Sequence, residues 1–325
     1  MQLAEWLILM YDFLLFMGKA FIYISEAIIL TFIPKRYRIK SVKGEIALIT
    51  GGAGGIGRLI AIKLAKLGAH VVIWDINRIG LKSTVQEIRD NGGKCWGYYC
   101  DITNKEEVYR MAKTVEIEVG SVTLLINNAG YVCGKIFWEL SDVEIDRTYK
   151  VNILSHYWIN NVFLKDMMKN NHGHIVTVAS VAGLLGIYKC TDYSATKFAA
   201  IGYHESLFTE LKTHGYDGIH ATLICPYFIN TGMFHGVEPR LPMLQPEYVA
   251  QEIVSGILLN QAVVVLPGSV RFLLPLKCLL PAKLCWALMY NIIRGPQCMM
   301  MFKGREMQVL KNNNNITIMP KKTVH

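Results

Sequence analysis

Three side chains that can move a proton, Ser180, Tyr193 and Lys197, follow one another at short spacing in the middle of the chain. Tyr193 and Lys197 are four residues apart in a predicted helix over residues 193–211, so the phenol and the ammonium share one helical face. Ser180 closes the apolar run 174–180, which is typical of a buried strand. A phenol, an ammonium and a hydroxyl that face one another suit proton transfer at a carbinol or carbonyl carbon.

The pattern Tyr-x-x-x-Lys is common, and it occurs three times here, starting at positions 109, 131 and 193. Only the third copy has a serine thirteen residues upstream and opens a helical stretch. The combination, and not the pattern alone, therefore predicts a catalytic site.

A glycine loop precedes this set at residues 50–57, with the sequence Thr-Gly-Gly-Ala-Gly-Gly-Ile-Gly. Glycines there allow the backbone to approach a pyrophosphate, and a predicted helix over residues 56–67 offers free N–H groups to its charge. Asp75 ends the next predicted strand, about 20 residues later, where a carboxylate binds the adenosine ribose hydroxyls. A nicotinamide dinucleotide is therefore the expected cofactor.

The residues around Asp75 favour NAD over NADP. A carboxylate repels a 2′-phosphate, the following Ile76 is not basic, and Gly54 leaves no cation inside the loop. Arg78 keeps NADP open as an alternative.

Apolar runs alternate with helical patterns after residue 43, which indicates βαβ units and a parallel sheet. The fold class expected is α/β, a doubly wound, seven-stranded Rossmann sheet. Its strands are predicted at residues 45–50, 70–75, 94–100, 122–127, 174–180, 219–225 and 263–266. The predicted regions are a membrane anchor over residues 1–34, a nucleotide-binding catalytic domain over 35–268, and an apolar segment with a polar tail over 269–325.

The N-terminal segment is apolar except for Glu5, Asp12, Lys19 and Glu26, which recur every seven residues. On a helix this period forms one narrow polar stripe. The helix either spans a membrane with its stripe towards a partner, or lies in the interface with the stripe towards water. Pro34 ends it and five basic residues follow, which predicts that the rest of the chain is cytosolic.

The net charge of +9 and the mean hydropathy of +0.28 point to lipid partners, because the basic residues flank apolar segments. A nucleic-acid partner is not expected. The eight cysteines show no CxxC motif and no Cys/His ligand spacing, so no metal site is expected.

The segment 270–293 is rich in apolar residues, with basic residues spaced through it. Pro275 and Pro281 are expected to break any long helix there. The preferred interpretation is an apolar cap over the active site that contacts the membrane interface. A buried helix pair or a dimer contact is the alternative.

The glycine loop 50–57, the run Asn127-Asn128-Ala129-Gly130, Ser180 and the Tyr193/Lys197 pair together resemble the short-chain dehydrogenase/reductase family over residues 43–266. The resemblance implies Tyr193 as the general acid/base and Ser180 as the hydrogen-bond partner of the substrate oxygen. It implies that Lys197 lowers the pKa of Tyr193 and holds the nicotinamide ribose, and that Asn152 completes a proton relay. The cofactor contacts it implies are Thr50, Gly51, Gly55, Ile56, Gly57, Asp75, Asp101, Ile102, Asn128, Tyr193, Lys197 and Thr231.

One departure from the family pattern is Tyr227, which follows Pro226 where the family usually has glycine. It predicts a bulkier, more apolar loop beside the nicotinamide. Other segments, such as Trp74 to Asn77 and the methionine-rich 298–302, are similar to the membrane-associated retinol and 17β-hydroxysteroid dehydrogenase branch.

That similarity implies a lipophilic alcohol or carbonyl substrate, with a retinoid ahead of a steroid or another lipid alcohol. It also implies an endoplasmic reticulum or lipid-droplet location and a homodimer. A lipid-surface binding protein without turnover is the alternative of another class.

Overall fold

The computed structural model describes residues 2–302, 307–312 and 315–320, and the chain forms two compact units, Met1–Lys40 and Ser41–His325. The first unit is helix α1, Gln2–Phe32, followed by a short 3₁₀ turn at Lys35–Tyr37. At about 1.5 Å per residue, 31 residues extend about 46 Å, which exceeds the hydrocarbon thickness of a bilayer. By length and composition Ala4–Phe32, with a mean hydropathy of 1.9, could cross a membrane.

The second unit is built on a seven-stranded parallel sheet with the order β3-β2-β1-β4-β5-β6-β7. The seven expected strands are confirmed, and no observed strand end differs from its predicted position by more than two residues. The strands are β1 Ile46–Thr50, β2 His70–Asp75, β3 Lys94–Tyr99, β4 Leu124–Asn127, β5 Gly173–Val178, β6 Ile219–Pro226 and β7 Val263–Leu266.

Helices connect the strands and cover both faces of the sheet. They are α2 Gly55–Lys66, α3 Arg78–Asp90, α4 Lys105–Glu118, α5 Asp142–Tyr149, α6 Ser155–Asn170, α7 Thr191–Thr213 and α8 Pro246–Leu258. A π-helical turn, Lys150–Leu154, joins α5 to α6.

The side chains of each strand alternate between the two faces, and both faces are buried at the central strands β1, β4 and β5. On strand β4, Ile126 belongs to the core that contains residues of α2 and α8, whereas Leu125 belongs to the core that contains residues of α4 and α6. The order of the strands reverses between β1 and β4, which are paired neighbours. At such a point the loops after the two strands diverge and leave a crevice for a ligand.

The C-terminal segment differs from the prediction at one proline. Helix α9, Val270–Leu279, continues through Pro275, and the break falls before Pro281, which precedes α10, Ala282–Ala287. A proline inside a short helix removes one backbone donor, whereas Pro281 stands at the position before a helix, where its fixed φ is favourable. A π-helical turn, Leu288–Ile293, and α11, Gly295–Cys298, follow.

Two features complete the second unit. Arg271 at the start of α9 donates a hydrogen bond to the carbonyl of Val263 on the edge strand β7. Strands β8, Met307–Asn312, and β9, Asn315–Pro320, form an antiparallel pair in the region predicted to be a polar tail.

Both layers of the core should contribute to the free energy of unfolding. Leu125→Ala and Ile126→Ala should each lower the free energy of unfolding by about 2–5 kcal/mol, because each leaves a cavity in a different layer. Ile79→Ala, at a side chain that is 67% exposed, should change it by less than about 0.5 kcal/mol. Urea unfolding of the detergent-solubilised protein measures all three. A small effect at either core position would mean that one face of the sheet is not covered.

Candidate active site

A cavity of about 530 Å³ opens at the carboxyl ends of the central strands. It extends from the glycine loop and Asp75, past Ser180, to Tyr227 and Phe234. Twelve of the residues expected from the sequence line it: Gly51, Gly55, Ile56, Gly57, Asp75, Asp101, Ile102, Asn128, Ser180, Tyr193, Lys197 and Thr231. Thr50 and Asn152 do not line it, and both are buried behind its wall.

The glycine loop turns sharply between β1 and α2. Gly51 has a φ of +67°, and a Cβ built there would lie 2.9 Å from the Cα of Ala129. A Cβ on Gly57 would overlap the carbonyl oxygen of Gly51. Side chains are therefore excluded at these positions, and the backbone N–H groups at the start of α2 stay accessible from the cavity. This cradle fits a pyrophosphate group.

Thr50 holds the loops that follow β1 and β4 together. Its hydroxyl accepts hydrogen bonds from the backbone N–H groups of Asn128 and Ala129, at 3.0 and 3.1 Å. In return the side-chain amide of Asn128 donates to the carbonyl of Thr50 at 2.9 Å. Thr50 therefore shapes the cofactor cradle from behind, while Asn128 reaches the cavity itself.

The end of the cavity at Asp75 presents a carboxylate, and the cation Arg78 lies outside the cavity lining. The Asp75 carboxylate accepts hydrogen bonds from the N–H groups of Ala53 and Asn77, at 3.0 and 2.9 Å, which fixes its direction. The guanidinium of Arg78 lies 4.0 Å from the ring centre of Tyr99. This geometry fits an adenosine ribose beside Asp75, with Arg78 close to the same end.

The three residues predicted to move a proton, Ser180, Tyr193 and Lys197, line the same cavity. Tyr193 and Lys197 lie in the first two turns of α7 and are 5% and 3% exposed. The Lys197 ammonium is 5.6 Å from the Tyr193 ring centre and donates to the carbonyl of Val178 at 2.8 Å. Ser180 follows β5, and its hydroxyl accepts from the N–H of Ala182 at 3.1 Å.

Burial governs the protonation of this pair. Burial raises the pKa of the Tyr193 phenol, and the hydrogen bond from Ser180 offsets only part of that shift. Burial also lowers the pKa of Lys197 to about 8. The lowering of the Tyr193 pKa by Lys197 stays a prediction.

Asn152 lies in the π-helical turn Lys150–Leu154. Its side-chain oxygen accepts from the N–H of Tyr131 at 2.8 Å, and its amide donates to the carbonyl of Tyr131 at 2.9 Å and to the hydroxyl of Thr196 at 3.0 Å. The side chain therefore connects the loop after β4 to α7. Its role in a proton relay stays a prediction.

The wall formed by Tyr131 and helix α5 was not expected from the sequence. Val143, Asp146 and Arg147 line the cavity, and the Arg147 guanidinium lies 4.7 Å from the ring centre of Tyr131. The signal was present, since Ser141 and Glu144 have the spacing of a capping box and form one. It marks a helix that starts soon after the β4 loop.

The substrate side of the cavity is aromatic and apolar. Tyr227, Met233 and Phe234 line it, and the rings of Phe234 and Tyr193 meet edge to face at 5.9 Å. Tyr227 contacts Phe228 edge to face at 4.8 Å. Tyr227 therefore adds an aromatic side chain to the cavity wall.

Comparisons with known proteins agree with this geometry. The family model described as short chain dehydrogenase matches residues 45–241. Short-chain dehydrogenase/reductase family 16C member 6 of Bos taurus is 46% identical over 79% of this chain and 82% of its own. Epidermal retinol dehydrogenase 2 of Mus musculus is 42% identical over 84% of this chain and 89% of its own. Estradiol 17-beta-dehydrogenase 11 of Macaca fascicularis is 42% identical over 84% of this chain and 90% of its own.

Two solved structures have the same fold. A short chain dehydrogenase/reductase from Burkholderia phymatum in complex with NAD superposes with a TM-score of 0.68, at 28% identity, over 74% of this chain and 95% of that one. A metagenomic short-chain oxidoreductase in complex with NADP superposes with a TM-score of 0.60, at 27% identity, over 70% of this chain and 98% of that one. With its glycine cradle and its Ser180, Tyr193 and Lys197 side chains on one cavity, the chain belongs to the short-chain dehydrogenase family, and it is an NAD(P)-dependent oxidoreductase that acts on CH–OH groups.

Proposed function

We propose that the protein is a membrane-anchored oxidoreductase that interconverts a lipophilic alcohol and its carbonyl compound, with retinol and retinaldehyde as the first candidates. The observation that carries the proposal is the continuous cavity, which joins the glycine cradle to an apolar wall through Ser180, Tyr193 and Lys197. A cofactor at one end and an apolar substrate at the other would meet at Tyr193.

The roles proposed for these residues follow from their positions. When bound, NAD(P) supplies the acceptor or donor of a hydride. Tyr193 exchanges the proton of the substrate oxygen, and Ser180 donates a hydrogen bond to that oxygen. Lys197, held by the carbonyl of Val178, places its ammonium beside the tyrosine. Because burial keeps the pKa of the phenol high, phenolate formation would need a positive charge beside Tyr193.

The aromatic substrate wall and the exposed apolar C-terminal segment support a lipophilic substrate. Phe272, Trp286 and Ile292 are 81%, 62% and 58% exposed. Residues 270–302 contain four basic residues and no Asp or Glu, a composition that suits an anionic lipid surface. The names of the relatives include both a retinol and an estradiol dehydrogenase, so a 17β-hydroxysteroid or another lipid alcohol is the second candidate.

The substrate class is tested by incubating membranes that carry the protein with NAD or NADP and a panel of retinol, estradiol and long-chain alcohols. Reduced cofactor formed with retinol at the highest kcat/KM supports the first candidate, and a preference for estradiol supports the second. Cofactor binding without turnover of any lipophilic alcohol would favour a lipid-surface binding protein instead.

Tyr193→Phe should reduce turnover by at least about 100-fold and leave the dissociation constant of NAD nearly unchanged, because only the phenolic O–H is lost. Tyr203→Phe is the matched control. It lies on the same helix and loses a hydrogen bond from Asn160, but it lies outside the cavity. Steady-state kinetics and NAD titration measure both variants. Retention of more than a few per cent of the rate in Tyr193→Phe would remove this residue from the acid/base role.

The carboxylate of Asp75 predicts that the wild type prefers NAD. Asp75→Ala combined with Ile76→Arg should move the ratio of kcat/KM for NAD over NADP towards NADP, because a repelling charge is replaced by an attracting one. Arg78→Met in the wild-type background should move the ratio in the opposite direction. A wild type that already prefers NADP would contradict the role proposed for Asp75.

Membrane residence is proposed at the endoplasmic reticulum or a lipid droplet, with the catalytic domain in the cytosol and a homodimer as the assembly. Helix α1 is the first contact, since its apolar side chains are exposed along its length. The exposed side chains of Phe272, Trp286 and Ile292 are the second. Two weak lipid contacts on one chain hold it more tightly than either alone.

Deleting residues 1–34 should therefore weaken membrane association without abolishing it. Combining that deletion with Phe272→Ser, Trp286→Ser and Ile292→Ser should release the domain, whereas combining it with Ile117→Ser, at a side chain that is 78% exposed on α4, should not. Fractionation of cell lysates measures the association. Protease protection on intact microsomes gives the topology, and a full-length protein that is shielded until detergent is added would contradict the cytosolic orientation.

A further inference from the structure

A short C-terminal segment, residues 298–302, packs behind the substrate wall, and we call it the strap. Its residues differ in exposure: Met299 and Phe302 are fully buried, whereas Met300 and Met301 between them are 58% and 65% exposed. The strap lies against the loop that carries Phe234, because the N–H of Glu238 donates to the carbonyl of Cys298 at 3.0 Å. Gly236, with a φ of +81°, allows this approach, since a Cβ there would overlap the carbonyl of Met301.

The strap reaches the catalytic tyrosine through one aromatic side chain. The ring of Phe302 is stacked on Phe234, with centroids 5.4 Å apart, and Phe234 meets Tyr193 edge to face at 5.9 Å. Phe234 lines the cavity, whereas neither Phe302 nor any other strap residue does. The position of Phe302 therefore limits the positions that the Phe234 ring can adopt beside the reacting oxygen.

Lys189 ties the strap to the start of the catalytic helix. Its ammonium donates to the carbonyl of Met300 at 2.7 Å and to that of Phe302 at 3.0 Å. Its backbone is in the left-handed region, with a φ of +59°, and it directly precedes Cys190, the buried residue that caps α7. Two hydrogen bonds from one charged group to a single turn of chain are stronger than neutral ones and fix the direction of that turn.

We propose that Phe302 determines substrate specificity by holding Phe234, and that Lys189 is a positioning residue that keeps the strap in place. The proposal rests on the proposed oxidation of lipophilic alcohols. Ring-containing alcohols need a defined aromatic wall, whereas a slender straight-chain alcohol adapts to a wall that moves. Lys189 and the strap lie outside the cavity lining, so cofactor binding is independent of them.

The test compares Lys189→Met and Phe302→Leu with the wild type, using full-length protein in lipid vesicles. We expect KM for a ring-containing alcohol, retinol or estradiol, to rise about tenfold in both variants, because the Phe234 ring is no longer held in one position; this corresponds to about 1.4 kcal/mol. KM for 1-decanol, kcat at saturation and the dissociation constant of NAD should change by less than about threefold, because Tyr193 and the cradle keep their contacts. Lys189→Arg, which still donates two hydrogen bonds, should restore the wild-type KM.

Lys212→Met is the matched control, because Lys212 also donates to a backbone carbonyl, that of Asp217, at the other end of α7. Equal increases in KM for both kinds of alcohol, or an equal loss of NAD affinity, would show a general loss of structure and overturn the proposal. Unchanged kinetics in both Lys189→Met and Phe302→Leu would also overturn it.

Hydrogen exchange separates this proposal from the proposed function, because it needs no substrate. The peptide that covers residues 298–302 should exchange faster in Lys189→Met than in the wild type or in Lys212→Met. If the wild type oxidises no lipophilic alcohol, the proposed function fails, and faster exchange still supports the tie between Lys189 and the strap. Unchanged exchange overturns the tie even in an active enzyme.

Discussion

The active site depends on a chain of hydrogen bonds that connects the two halves of the sheet to the catalytic helix. Thr50 binds the backbone after β4, and the same loop carries Tyr131, whose N–H and carbonyl are both bound by Asn152. Asn152 then binds Thr196, and the hydroxyl of Thr196 donates to the carbonyl of Tyr193 at 2.7 Å. The cofactor cradle and the proton-transfer residue thus share one buried network, so their spacing is fixed before either ligand binds. A buried network of this kind is strong only while every member is paired.

Burial determines which protonation states of Tyr193 and Lys197 are favoured. Removing Tyr193 and Lys197 from water disfavours the charged form of each, which keeps the phenol protonated and makes the lysine easier to deprotonate. The carbonyl of Val178 compensates the ammonium directly. The phenol has the hydroxyl of Ser180 beside it, and its pKa stays sensitive to any further positive charge brought into the cavity. The pKa of Tyr193 would thus depend on the charge of a nicotinamide ring bound in the cavity.

Much of the fold and most of the cavity were predictable because their signals are local. Apolar runs of four to eight residues define the strands, and a glycine loop between a strand and a helix is compatible with few other structures. The π-helical turn at Lys150–Leu154 has no such pattern, since it forms only where α5 and α6 meet the rest of the domain. Thr50 and Asn152 were identified as site residues, but their place behind the wall depends on contacts between distant loops. Pro275 was expected to end a helix, and it does not, because the loss of one donor leaves the rest of a short helix in place.

The contact of Arg271 with the edge strand β7 has a consequence for the behaviour of many copies together. The lipid surface proposed above would restrict diffusion to two dimensions and raise the frequency of collisions between neighbouring copies. An open strand edge would then act as a template for intermolecular pairing and aggregation. Strand β7 has only four residues, and the guanidinium of Arg271 already occupies the carbonyl of Val263 at its beginning. A short, partly blocked edge therefore offers little backbone for pairing with the strand edge of a neighbouring copy.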